Sequence, residues 1–295
     1  MLMGLRQILE MIRFSHTLFA LPFALFSAIL AWHGKGGFQW IELGGILACM
    51  VLARSAAMAF NRLADQGIDA ANPRTQGRHL PVGALTRGQV WLFTLACSAG
   101  FVAATFLFYL AEPANPWPSY LAVPVLLFVG AYSYTKRFTF LAHYWLGASL
   151  LLAPLAAWIA IRQLERLEIP LVLGLAVFFW VGGFDIIYAC QDADFDRKAK
   201  LHSVPARFGI PIALRIALVS HLLTVVCLAA LYFLAHPPLG CIYLAGVVCV
   251  AVLLAYEHWL VTPTDLTRVN QAFFQVNAII SVGLLAVLLV EIALQ

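Results

Sequence analysis

Long apolar runs recur along this chain, at about 15–32, 38–60, 88–110, 119–135, 141–161, 170–190, 211–234, 238–260 and 272–294. A bilayer-spanning helix takes roughly 17–25 mostly apolar residues, and every run falls in that range. Hydrocarbon offers no partners to backbone amides, so spanning segments must be helices or a closed barrel, and runs this long are helical. Charge agrees: 11% of the residues are charged, against about 25% in soluble domains. The chain therefore reads as all-α, a polytopic membrane protein with nine transmembrane helices. No linker or low-complexity segment interrupts it, so 1–295 is one transmembrane domain. The opening "MLMGLRQILEMIRF" lacks a small-residue cleavage site and reads as an uncleaved interfacial helix. The six cysteines lie in or beside apolar runs without a C-x-x-C pair, as small packing residues do.

Nine spans put alternate loops on opposite faces. The face of the N-terminus receives Arg6, Arg13, Arg62, Arg74, Arg78, Arg87, Lys136, Arg137, Arg197, Lys198, Lys200, Arg207, Arg215 and Arg268; the other receives only Lys35, Arg162 and Arg166. The positive-inside rule places the first face in the cytoplasm, with the membrane being the cell (inner) membrane. That face also carries two long loops of mixed charge, 61–87 and 191–210. They follow the second and sixth spans, a faint internal duplication, and such loops on one face mark a site.

The first loop opens with "NRLADQGID". Residues four apart stack on one helix face, so Asn61, Asp65 and Asp69 form an oxygen-bearing stripe. The second holds "DIIYACQDADFD": Asp192 and Asp196 repeat the spacing, with Tyr188 and Asp185 one and two turns earlier. Asp194 points about 200° away from Asp192. Carboxylates at this spacing repel, and a hard divalent cation compensates them. Mg²⁺ takes oxygen ligands, keeps waters, and binds through one or two carboxylates plus substrate phosphates. Lys136 and Arg137 in "YSYTKR", with Arg74, Arg78, Lys200 and Arg207 behind, are candidates to neutralise the remaining phosphate oxygens.

Arg54 lies seven residues before Asn61, inside an apolar run and on the same face. An arginine within the membrane needs a partner. Either an aspartate or the carboxylate of an aromatic acid meets that need, the latter through the planar guanidinium fork. His16, His33, His79, His143, His202, His221, His236 and His258 have no metal-site spacing and read as packing or interfacial residues. Trp32, Trp40, Trp117 and Trp259 near span ends read as interfacial anchors.

These motifs resemble those of the UbiA superfamily of intramembrane prenyltransferases. "NRLADQGID" is similar to its N-D-x-x-D-x-x-x-D, "YACQDADFD" to its Y-x-x-x-D-x-x-x-D, "NPRTQGRHLPVG" to a segment ending R-x-L-P-x-G, and "YSYTKR" to its Y-x-x-x-K-R loop. The resemblance covers about 13 to 290 and implies a helical bundle around a central cavity capped by the acidic motifs. "SHTLFALPFAL" and "DFDRKAKLHSVPARFG" look most like 4-hydroxybenzoate polyprenyltransferases. Arg62 stands where the family has Asp; it is expected off the Asn61–Asp65–Asp69 stripe, leaving the metal face intact.

The resemblance implies transfer of a polyprenyl chain from polyprenyl diphosphate to an aromatic acid in ubiquinone or menaquinone biosynthesis. Asn61, Asp65, Asp69, Asp192 and Asp196 would hold Mg²⁺ and diphosphate. Lys136 and Arg137 would bind the leaving diphosphate, with Tyr188 and Lys200 in the substrate site, and Arg54 the acceptor carboxylate. Asp65 and Asp185 are alternatives for the carboxylate that removes the ring proton. A dihydroxynaphthoate acceptor, in the futalosine route to menaquinone, uses the same chemistry. A secondary transporter is the rival class, but its site would lie at the midplane on interrupted helices. Polyprenyl diphosphate, the aromatic acid and the lipid bilayer are the expected partners, with no nucleic acid.

Overall fold

A computed structural model describes residues 2–12, 19–235 and 238–294. Arg13, His16 and His236 lie outside the described residues, as do the first four positions of the first apolar run and the side chain of Arg6. The described residues are almost wholly helical: α1 (Leu2–Met11), α2 (Leu21–Lys35), α3 (Trp40–Ala71), α4 (Arg87–Thr105), α5 (Trp117–Thr135), α6 (Ala142–Arg162), α7 (Glu168–Ala189), α8 (Ala193–Lys198), α9 (Val204–Phe208), α10 (Ile210–Leu234), α11 (Cys241–Leu260), α12 (Val269–Gln271) and α13 (Asn277–Ala293). Among them there is no strand, only an isolated bridge between Thr262 and Asp265.

Seven of these helical stretches are long and apolar enough to cross a membrane, and they match seven of the nine expected spans. The other two are helical but weaker. The 15-residue α2 reaches only about 22 Å at 1.5 Å per residue. α5 includes Pro118, Pro124, Tyr120, Tyr132 and Tyr134, which dilute its apolar character. Side chains such as Leu92, Leu127, Phe233 and Val252 are largely exposed, as lipid-facing residues are.

Within the single expected domain, packing falls into two compact units: α1 with Gln39–Tyr134, and α2 with Thr135 onward. In the first, α3 packs along α4. Met11 and Ile12 cluster with Ala59, Leu63, Leu80, Leu85 and Val90, fastening α1 to the C-terminal half of α3. The 32 residues of α3 extend about 48 Å, well beyond a hydrocarbon core of about 30 Å. Its last turns, which bear the first acidic motif, therefore emerge from the membrane. Pro73 ends the helix by holding Asn72 extended, and Asn72 Oδ1 accepts from the Arg74 amide at 2.9 Å. Thr86 and Gln89 then start α4 with reciprocal bonds of 3.2 and 2.9 Å.

In the second unit α7 is central, packed by α6 on one side and α10 on another. Glycines permit this closeness: a Cβ on Gly147 would strike the Phe178 backbone, and one on Gly183 the His221 ring. A polar chain ties α13 and α11 to α7. Trp180 Nε1 donates to Asn277 Oδ1 at 2.6 Å, and Asn277 Nδ2 donates to Glu257 Oε1 at 3.3 Å. Asn277 Nδ2 also meets the Ala272 and Phe273 carbonyls, at a π-helical turn, Ala272–Val276. At the far end of the unit, Glu291 of α13 accepts from the amides of Gly240 and Tyr243 at 3.0 and 2.9 Å, capping α11.

Candidate active site

The first acidic motif occupies the end of α3 as an uninterrupted helix. Asn61 Nδ2 donates to Asp65 Oδ2 at 2.9 Å and lies 3.4 Å from Ser133 Oγ. Asp69 is buried, and Arg78 Nη1 donates to both its oxygens, at 2.7 and 2.8 Å. Arg62 Nη1 stands 3.6 Å from Asp69 Oδ2. This corrects the expectation that Arg62 lies off the stripe. Seven residues is just under two turns, so positions 62 and 69 share a face, and a long guanidinium spans the gap. Thr75 Oγ1 donates to the Asp69 carbonyl at 3.0 Å, which pins the basic loop to the helix end. Arg54 sits half-buried two turns before Asn61, within the span. Arg74 is exposed.

The second motif is built differently. α7 stops at Ala189, residues Cys190–Asp192 tighten into a 3-10 turn, and α8 resumes at Ala193. Asp192 and Asp196 are buried, whereas Asp194 is exposed and paired with Arg197 at 3.1 Å. Asp196 Oδ2 is buried and accepts no hydrogen bond among the described residues. Tyr188, one turn before Asp192, packs its ring 4.3 Å from that of Phe273 at the π-helical turn.

Asp185 carries a partner that the sequence did not disclose. His143, on α6 and fully buried, places Nδ1 2.7 Å from Asp185 Oδ2. Lys136 and Asp192 lie within electrostatic range of Asp185, so these groups gather in one place. A strap follows α8, turning at Lys200 with φ 56°. Its amides at Leu201 and His202 donate to the carbonyls of Asp196 and Lys136, at 2.8 and 2.7 Å. Arg137 and Lys200 are exposed, and Arg207 stacks over Phe140 at 4.3 Å.

Other histidines, expected as packing or interfacial residues, also have partners. His79 pairs with Glu10 of α1 at 3.8 Å, and His258 Nε2 lies 3.0 Å from His221 Nδ1. Trp32, expected as an anchor, is buried against Phe38, while Trp40 and Trp259 are exposed as anchors are.

Among the described residues no three His, Cys, Asp or Glu side chains enclose a metal ion. A Mg²⁺ that completes its shell with phosphate and water does not need such a cage. Asp196 Oδ2, a buried oxygen that the fold leaves unsatisfied, fits a hard cation.

A 4-hydroxybenzoate octaprenyltransferase of Vibrio vulnificus is 30% identical over 275 residues, 92% of this chain and 91% of that protein. The apo structure of a UbiA homolog from Aeropyrum pernix K1 matches with TM-score 0.83 and 30% identity, covering 94% of this chain and 98% of that one. A UbiA homolog from Archaeoglobus fulgidus, solved bound to DMAPP and Mg²⁺, shares the fold at TM-score 0.74 and 19% identity, over 98% of this chain and 100% of that chain. The chain also matches the UbiA prenyltransferase family over residues 20–279. Helices that can cross a bilayer, motif-bearing helix ends and relatives named for prenyl transfer converge: the chain belongs to the UbiA prenyltransferase family and is a multi-pass membrane transferase of prenyl groups.

Proposed function

We propose that this enzyme moves a polyprenyl chain from polyprenyl diphosphate to an aromatic acid of the 4-hydroxybenzoate type, in ubiquinone or menaquinone biosynthesis. We place its reaction at the cytoplasmic face of the cell (inner) membrane, supported by the Lys/Arg excess on that side. The observation that carries the acid acceptor is Arg54, a guanidinium inside the α3 span two turns from Asn61, in a chain whose relatives include 4-hydroxybenzoate octaprenyltransferases.

Asn61, Asp65, Asp69, Asp192 and Asp196 would hold Mg²⁺. When bound, the ion offsets negative charge on the diphosphate as it leaves. Lys136, Arg137 and Lys200 draw the diphosphate by charge, and Tyr188 offers an aromatic ring already braced by Phe273. Arg54 holds the acceptor carboxylate, which orients the ring for attack at the carbon ortho to its hydroxyl. Asp65 or Asp185 takes the ring proton.

Purified enzyme offered 4-hydroxybenzoate and a dihydroxynaphthoate together, with one polyprenyl diphosphate, tests the assignment by product mass spectrometry. Prenylated hydroxybenzoate is the expected product. Exclusive prenylation of the naphthoate moves the enzyme to the futalosine route. Prenylation of neither acid removes the acid-accepting reading.

A further inference from the structure

The strap from Ala199 to Val204 has a third bond, and it fixes a protonation state. The Val204 amide donates to His143 Nε2 at 3.2 Å. A backbone N–H can only donate, so Nε2 presents its lone pair and the ring proton resides on Nδ1. His143 is therefore a neutral imidazole whose single N–H points at Asp185 Oδ2, 2.7 Å away. The ring has no solvent exposure, so neither contact is shared with water.

Asp185 itself is only partly enclosed, its side chain 14% exposed. Oδ2 is held by His143, while Oδ1 accepts no hydrogen bond among the described residues. We propose that His143 is a positioning residue for prenyl transfer: it holds Asp185 by one oxygen so that the other is presented to the ring proton of the acceptor. The proposal rests on the reading that Asp185, rather than Asp65, is the proton acceptor.

The step balances without any further reactant. The prenyl C–O bond breaks and its electron pair leaves with the diphosphate, while a ring π pair forms the new C–C bond. The C–H pair at that carbon returns to the ring, and its proton passes to Asp185 Oδ1. Orientation is what His143 adds. Its strap also fixes the backbones of Asp196 and Lys136, so one short segment aligns the proton acceptor with candidate metal and diphosphate residues.

Two near-isosteric variants separate the two bonds. His143→Asn keeps a donor near Nδ1 and gives up Val204; His143→Gln reaches Val204 and gives up Asp185. For purified enzyme we expect His143→Gln to lose about tenfold or more in kcat, with both KM values within about twofold. His143→Asn should lose less, a several-fold fall in kcat, and thermal unfolding should not rank the two in that order. Activity losses that simply track unfolding temperature overturn the proposal. In an Asp185→Asn background, His143→Gln should add less than about a twofold loss, because residues acting as a unit are not additive; an undiminished second loss also overturns it. If Asp185→Asn alone keeps wild-type kcat, the reading of Asp185 fails instead.

If the His143 variants do not fold, Val204→Pro removes only the fixing amide. Val204 begins α9, where proline is accepted, and Ser203 before it is already extended (φ −132°, ψ 159°). A several-fold fall in kcat at unchanged KM is then expected, and unaltered kcat overturns the proposal.

Discussion

Aligned by their spacing, the two acidic motifs match Asn61 with Tyr188, Asp65 with Asp192, and Asp69 with Asp196. The last carboxylate of each is treated in opposite ways. Asp69 is gripped by Arg78 and approached by Arg62, so the fold brings its own cations to that charge. Asp196 has no described salt bridge and keeps a buried oxygen unsatisfied. A carboxylate already paired must exchange a contact to bind an ion, whereas an unsatisfied one gains by binding. The second motif should therefore depend more steeply on metal, while the first is partly self-neutralised.

The largest effect tests whether both motifs share one chemistry. Asp65→Ala and Asp192→Ala should each abolish transfer while the protein stays folded, as should EDTA with wild-type enzyme. Full turnover in EDTA would break the metal reading of both motifs together.

Next is Arg54, which has no cationic counterpart on the second motif: the matching position is Val181. Arg54→Ala should raise the acceptor KM about 10–100-fold, the worth of a lost charge-assisted contact, with donor KM little changed. A donor or metal defect in place of an acceptor defect would assign Arg54 to an aspartate.

The contrast between matched carboxylates is sharpened by a Mg²⁺ titration. Asp196→Asn should raise the half-saturating concentration at least about tenfold, and Asp69→Asn distinctly less. Equal shifts would erase the difference drawn from Arg78.

The smallest effect concerns Asp194. Exposed and paired, among the described residues, with Arg197 alone, it should tolerate Asn with under about 0.5 kcal/mol change in stability and near-normal turnover. A loss matching that of Asp196→Asn would show that Asp194 takes part in the site.

Length and apolarity made the helices legible, because a bilayer forces both on any spanning segment. The four-residue stripes were legible for a similar reason, since helix periodicity turns spacing into direction. The pairing of Arg62 with Asp69 is encoded in the same way, since an offset of seven residues is just under two turns. The 3-10 turn at Cys190–Asp192 contains no glycine or proline and left no local signal. His143 was out of reach for another reason. It lies 42 positions from Asp185 and 61 from Val204, and the packing of α6 and α9 against α7 brings them together.

The cap that Glu291 places on α11 bears on how the chain is assembled. The amides of Gly240 and Tyr243 belong to a helix made about 50 residues before the carboxylate that receives them. Without α13 beside it, that helix end would need other acceptors for those amides. Gly240 also leaves room that a side chain would take from Glu291. The cap on α11 is thus supplied by a helix about 50 residues later in the chain, and that helix end is satisfied when α13 packs beside it.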